Sequence, residues 1–143
     1  MTEDKKFFES YLLNNKDIIG IPNVGVSIKP LHIPWKILAS TNTSVDKRSE
    51  NIMYFAKFSL AHRQDNTESY EITITNNKGM ANQNNFDDTL NTSGIVWDDA
   101  KDTVANTRGE FDTPYFVFDF VNIDNKSATA ALNVLVHGFV AEW

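Results

Sequence analysis

The sequence predicts an all-β protein, an antiparallel β-sandwich of jelly-roll type, with one N-terminal helix and an extended arm. Three observations carry this. Tyr70, Ile72 and Ile74 alternate with Glu71, Thr73 and Thr75, the period-two pattern of a half-buried strand. Tyr115 to Ile123 is almost wholly aromatic and β-branched, and Ala128 to Trp143 resumes that pattern after the break Asp124-Asn125-Lys126-Ser127. An apolar two-stranded ribbon of this kind needs a second layer to cover it. Only one segment, residues 2–16, has helical spacing.

That first segment reads as an amphipathic helix, with residues 1–17 as its unit and 18–143 as a single sandwich domain. Thr2 stands at the N-cap, Glu3 and Asp4 lie where the helix dipole favours anions, and Phe7, Phe8, Tyr11 and Leu12 share one face. A helix of this length is marginal alone, so its aromatic stripe must dock, on the chain's own sheet or on a neighbouring subunit. Phe7, Phe8, Tyr11, Leu12 and Trp35 are therefore the candidate interaction residues.

From Ile18 to Ser40 the chain is extended and punctuated by Gly20, Pro22, Gly25, Pro30 and Pro34. Proline cannot donate inside a central sheet, which predicts short edge strands or an arm across a surface. Thr41 to Asn51 reads as a polar loop. Ile52 to Arg63 is a strong strand, with Ile52, Tyr54, Ala56, Phe58 and Leu60 on one face. The Gln64–Thr67 turn then predicts a hairpin with Ser69–Thr75. Asn76 to Gly94 is a long Asn-rich stretch of the kind that carries function. Ile95-Val96-Trp97 is a short apolar island, Asp98–Asp102 a helical turn or loop, and the terminal ribbon follows. The expected total is six to eight strands.

A chain of 143 residues with 41% hydrophobic residues buries roughly 70% of its unfolded surface without cross-links. It has no cysteine, so neither disulfides nor a thiolate zinc site enter the argument. No apolar leader follows the first residues and no run is long enough to span a membrane, from which cytoplasmic synthesis is expected. The net charge of -6 is uneven: residues 1–64 hold nine Lys and Arg against six Asp and Glu, residues 65–143 four against thirteen. The acidic part opposes nucleic acid and permits self-association with the basic part.

No constellation announces catalysis. His32, His62 and His137 form none of the short metal-binding spacings, so a metal site would need ligands from separate strands. His137 reads as a half-buried strand residue, and His62 with Arg63 and Asp65 as hairpin-end chemistry. There is no nucleophile elbow and no phosphate-binding glycine loop. Asp119, between Phe118 and Phe120, is the only acid in a strongly apolar strand, and alternation with Val117 and Val121 predicts that it faces outward. Asp98, Asp99 and Asp102, and separately Asn122, Asp124 and Asn125, gather oxygen ligands without matching a calcium loop. Turn chemistry explains them better. Sequons at Asn42, Asn91 and Asn125 are put down to chance.

Three function classes remain. The first is a non-enzymatic structural subunit of an assembly, such as a virion or phage-particle component (capsid, decoration or tail-associated) made in the host cytoplasm. Its expected partners are copies of itself and other assembly proteins, without nucleic acid or membrane and without a cofactor. The second is a carbohydrate- or ligand-binding sandwich, with Trp35, Trp97 and Trp143 as stacking platforms. The third is an enzyme built from dispersed acids such as Asp119.

Overall fold

The computed structural model describes residues 2–23, 25–62, 69–79, 95–102 and 110–143. Along the chain run helix α1 (Thr2–Asn14), the short α2 (Lys16–Ile19), and strands β1 (Ser27–Ile37), β2 (Asn42–Asp46), β3 (Ile52–His62), β4 (Ser69–Thr75), β5 (Ile95–Asp102), β6 (Glu110–Asp112), β7 (Phe116–Phe118), β8 (Phe120–Asn125) and β9 (Leu132–Glu142). They build two antiparallel sheets. The first has the order β1-β9-β3-β6, with β7 also on β3; the second has the order β2-β8-β4-β5.

The expected mostly-β sandwich with an N-terminal helix is therefore found, but its two expected hairpins are not. β8 pairs with β2 and β4, whereas β9 pairs with β1 and β3. Likewise β3 and β4 lie in different sheets. Each apolar strand pair faces across the core instead of lying side by side. The alternation that marks an inner face is the same in both arrangements, so local pattern does not separate them. Two further corrections concern polar strands. The Thr41–Asn51 loop contains β2, an edge strand whose inward residue is Val45, and Asp98–Asp102 continues β5 rather than forming a helical turn.

Between the sheets, Ala56, Phe58 and Leu60 of β3 meet Ile72 and Ile74 of β4, Val121 and Ile123 of β8, and Leu132 and Val134 of β9. The opposite face of β3 is apolar at its start. Met53 and Phe55, with Phe139 and Ala141 of β9, are covered by Phe8 and Leu12 of α1 and by Ile19 and Ile21 after it. The fold thus has three layers, helix on sheet on sheet, and β3 is buried on both sides along Met53–Phe55. Phe8 is fully buried and stacks on Phe55 with ring centroids 5.6 Å apart. Burying a Phe or Leu side chain contributes about 1.5–3 kcal/mol, enough to hold a helix that is marginal in water. The helix docks on its own chain, and Gly20 in the left-handed conformation (φ 89°) turns the backbone away to β1.

β1 is a single eleven-residue strand rather than several short ones, paired among the described residues on one side only, along the whole of β9. The segment read from its prolines as edge strand or arm is thus an edge strand. At the other edge, β6 and β7 run along β3 with residues 113–115 between them. Phe58 still has both backbone groups bonded across this gap: the Thr113 N–H donates to its carbonyl at 2.8 Å, and its own N–H donates to the Thr113 hydroxyl at 2.9 Å.

The Gln64–Thr67 turn, Arg63, Asp65 and all but the start of the Asn76–Gly94 stretch lie outside the described residues, as do Asn91 and the side chains of His62, Trp97, Asp98, Asp99 and Asp102.

Candidate functional site

Three places gather chemistry. The first is the corner where the chain leaves one sheet for the other. β7 ends at Phe118 and β8 begins at Phe120, each in its own sheet, so Asp119 sits on the switch. It is fully buried, which overturns the expected outward orientation. Alternation stops at a residue whose main chain is already bonded to the second sheet: its N–H donates to the carbonyl of Thr75, the end of β4, at 3.1 Å, and its carbonyl accepts from the N–H of Lys47, just past β2, at 2.8 Å. Its carboxylate turns to the 76–79 segment and accepts the backbone N–H of Asn77 (3.1 Å) and of Lys78 (2.9 Å). The Lys78 ammonium stands 3.3 Å away and also donates to the Lys47 carbonyl.

Tyr11 of α1 reaches the same corner. Its hydroxyl accepts from Asn76 Nδ2 at 2.9 Å. Burial pushes the Tyr11 phenol up from its usual range, the Asn76 bond works against this, and the Asp119 charge adds to it. For Lys78, burial outweighs the attraction of Asp119 and pulls the ammonium down. The corner therefore binds helix, turn and both sheets. Its acid is enclosed by donors from its own chain, an arrangement that holds a turn rather than presenting a reactive group.

The second place is an apolar pocket of about 230 Å³ between the sheets, on the side closed by β1 and β2. Leu31, Ile33 and Trp35 of β1, Val45 of β2, Tyr54 of β3 and Phe118 are among its walls. Both strands are edges of their sheets on this side. Ile33 and, just past β1, Leu38 are 44% and 62% exposed.

The third place is the outer face of the first sheet beyond the helix. There His32 of β1 lies opposite His137 of β9, and Lys57 of β3 lies opposite His137 on the other side. Lys57 Nζ stands over the Tyr115 ring at 5.7 Å.

Of the candidate interaction residues, Phe8 and Leu12 are buried under the helix, Tyr11 is half-buried at the Asp119 corner, Phe7 is exposed against Phe55, and Trp35 lies half-buried at the inter-sheet core. The four helix residues share one end of the molecule, and Trp35 lies on the other face of the first sheet. The Asn122, Asp124 and Asn125 trio does not converge. Asn122 accepts from the Ser44 hydroxyl and Asp124 pairs with Lys126, while Asn125 is fully buried. Asn125 Nδ2 donates to the carbonyls of Ile37, Leu38 and Ala130, and its Oδ1 accepts the Ser127 N–H, so it is closed to a glycan as well. Among the described residues no three His, Cys, Asp or Glu side chains cluster as metal ligands. Sequence reasoning missed the pairing of His32 with His137, because the register that joins them is set by β9 lying beside β1.

No protein-family model matches the chain, and no curated protein matches it. Among solved structures it is similar to one described by the words "Bacillus endospore appendages form a novel family of disulfide-linked pili", at 16% identity and a TM-score of 0.42, over 85% of this chain and 92% of that one. It is also similar to a rhamnosidase from Klebsiella oxytoca with rhamnose bound, at 8% identity and a TM-score of 0.40, over 92% of this chain and 32% of that one. The chain thus spans about a third of the rhamnosidase. At these TM-scores neither likeness carries an argument about function.

Proposed function

We propose that the chain is a non-enzymatic structural subunit of a larger assembly, a virion or phage-particle component made in the host cytoplasm and working through protein–protein contacts with copies of itself. The observation that carries this reading is the β1 edge. Among the described residues this eleven-residue strand is paired on one side only, with exposed Ile33 on it, exposed Leu38 beside it and the apolar pocket beneath it. A long strand edge with apolar side chains is a surface to which another chain can add.

The strand order supports the jelly-roll part of the reading. If β6 and β7 count as one interrupted strand, eight strands form two four-stranded sheets, and every connection except β4 to β5 and the internal β6 to β7 step passes from one sheet to the other. Particle proteins use this architecture, and so do lectins and cupins, so the support is by analogy of fold. The non-enzymatic part is supported by Asp119, whose carboxylate is taken up by the 76–79 turn.

Size-exclusion chromatography with light scattering tests the reading. A discrete oligomer that Ile33→Lys reduces towards the 16.2 kDa chain is expected. A strict monomer at every concentration, for both proteins, overturns it.

A ligand-binding sandwich is the second reading, favoured by the pocket itself. Its walls are mainly aliphatic and aromatic. They suit a small apolar molecule better than a sugar, which needs several converging hydrogen-bonding groups. Saturable quenching of tryptophan fluorescence by such a ligand, abolished by Val45→Trp, is its test.

A further inference from the structure

We propose that His32 and His137 form a binding site for a divalent transition-metal ion, of the class that imidazole nitrogen suits, such as zinc. Their register is the starting point. Proline has no N–H for a sheet ladder, so Pro30 and Pro34 mark the positions of β1 whose main chain points away from β9. His32 lies between them with the same parity, and its partner in register is His137. The pair is therefore of the non-hydrogen-bonded kind, in which opposed residues approach most closely, with Cα atoms about 4.5 Å apart.

The rings answer to that backbone. Their centroids stand 5.8 Å apart and their planes are almost perpendicular, at 87°. Two imidazoles that share one ion through metal–nitrogen bonds of about 2.0–2.1 Å place their centroids roughly 5–6 Å apart. The observed spacing falls in that range, so chelation needs ring rotation and no movement of the strands. Among the described residues neither ring has a hydrogen bond or an ion pair, which leaves the ring nitrogens free to act as ligands.

Their surroundings permit entry of an ion. His32 is exposed and His137 half-buried on an open sheet face. Lys57, the cation directly opposite His137, has its ammonium over the Tyr115 ring. Two protein ligands leave the remaining coordination positions to water. Imidazole suits zinc, copper, iron and nickel, and a site without carboxylates disfavours magnesium and calcium. The proposal stands apart from the assembly reading, because it uses the opposite face of the first sheet from the pocket and makes no use of a second copy.

The test is titration of the full chain with Zn2+ alone, followed by calorimetry and by NMR of the histidine rings. The expected result is saturable binding with the His32 and His137 rings shifting together. His32→Ala and His137→Ala should each weaken binding at least about tenfold, since loss even of outer-sphere support typically costs 10–100-fold. His62→Ala should leave it unchanged. The expected stoichiometry is one ion per chain. Equal affinity in His32→Ala, shifts confined to His62, or no saturation up to millimolar zinc each overturn it. Circular dichroism of each variant confirms that the sheet is intact, as substitution of an exposed or half-buried position on an open face predicts.

Discussion

The carboxylate of Asp119 caps the turn that carries Lys78 and holds the Lys78 ammonium at 3.3 Å. One residue thereby closes the corner at which the chain changes sheets. Asp119→Ala strands two backbone N–H groups and a desolvated ammonium. Loss of one partner of a buried pair typically costs about 3–5 kcal/mol. Urea unfolding should show that loss, and a smaller one for Lys78→Met, since the carboxylate then keeps both backbone donors.

The alkaline limb of stability follows from four groups. Tyr11, Tyr54 and Tyr115 have phenol pKa values raised above 10.0, in each case chiefly by burial. The folded state holds these protons more tightly than the unfolded chain, so this contribution is present below pH 10 and is lost as pH rises through the raised values. Lys78 is lowered below 10.5, so its contribution has the opposite sign and grows as pH approaches 10.5. With three phenols against one ammonium, the urea midpoint should fall above about pH 10. Tyr11→Phe should flatten that fall and Lys78→Met should steepen it.

Asn125 is fully buried, and its amide joins β8 to the carbonyls that end β1 and precede β9. Asn125→Ala should cost at least about 1–3 kcal/mol, the penalty for a stranded buried polar group. Asn125→Asp should be worse, because it sets a carboxylate against three carbonyl oxygens in the interior. Thermal melts of the two variants at neutral pH give the order.

Phe7 and Phe8 are neighbours with opposite fates: one is 57% exposed, the other is enclosed. Phe8→Ala should cost about 3–5 kcal/mol and release the amides of α1 to hydrogen exchange. Phe7→Ala keeps the docked stripe intact and should leave α1 protected.

Gly138 of β9 lies opposite Ala56 of β3. An added Cβ would lie 2.0 Å from the Phe55 carbonyl oxygen and 2.7 Å from the Ala56 Cα, both of them main-chain atoms that cannot swing aside. Gly138→Ala should therefore lose about 1–3 kcal/mol or more by overpacking, and Gly138→Val should fail to yield soluble protein.

Much of the fold was legible in residue order because it follows from local periodicity. Alternation placed Tyr54, Ala56, Phe58 and Leu60 on the core face of β3, and the prolines placed β1 at an edge. The helical stripe identified Phe8 and Leu12 as docking residues. What local order did not contain is which strand lies beside which. The apolar runs before and after Asp124–Ser127 look the same whether they pair or face each other, and the structure puts them in opposite sheets. For the same reason alternation alone turns Asp119 outward, and β2, whose only apolar residue is Val45, has the pattern of a loop.

The helix, the all-β class and the inner faces of the apolar strands follow from residue order alone, since each depends on residues a few places apart. That Asp119 is enclosed and that His32 meets His137 emerges only in the packed fold. Both outcomes depend on sheet order, a property of contacts between residues far apart in the chain.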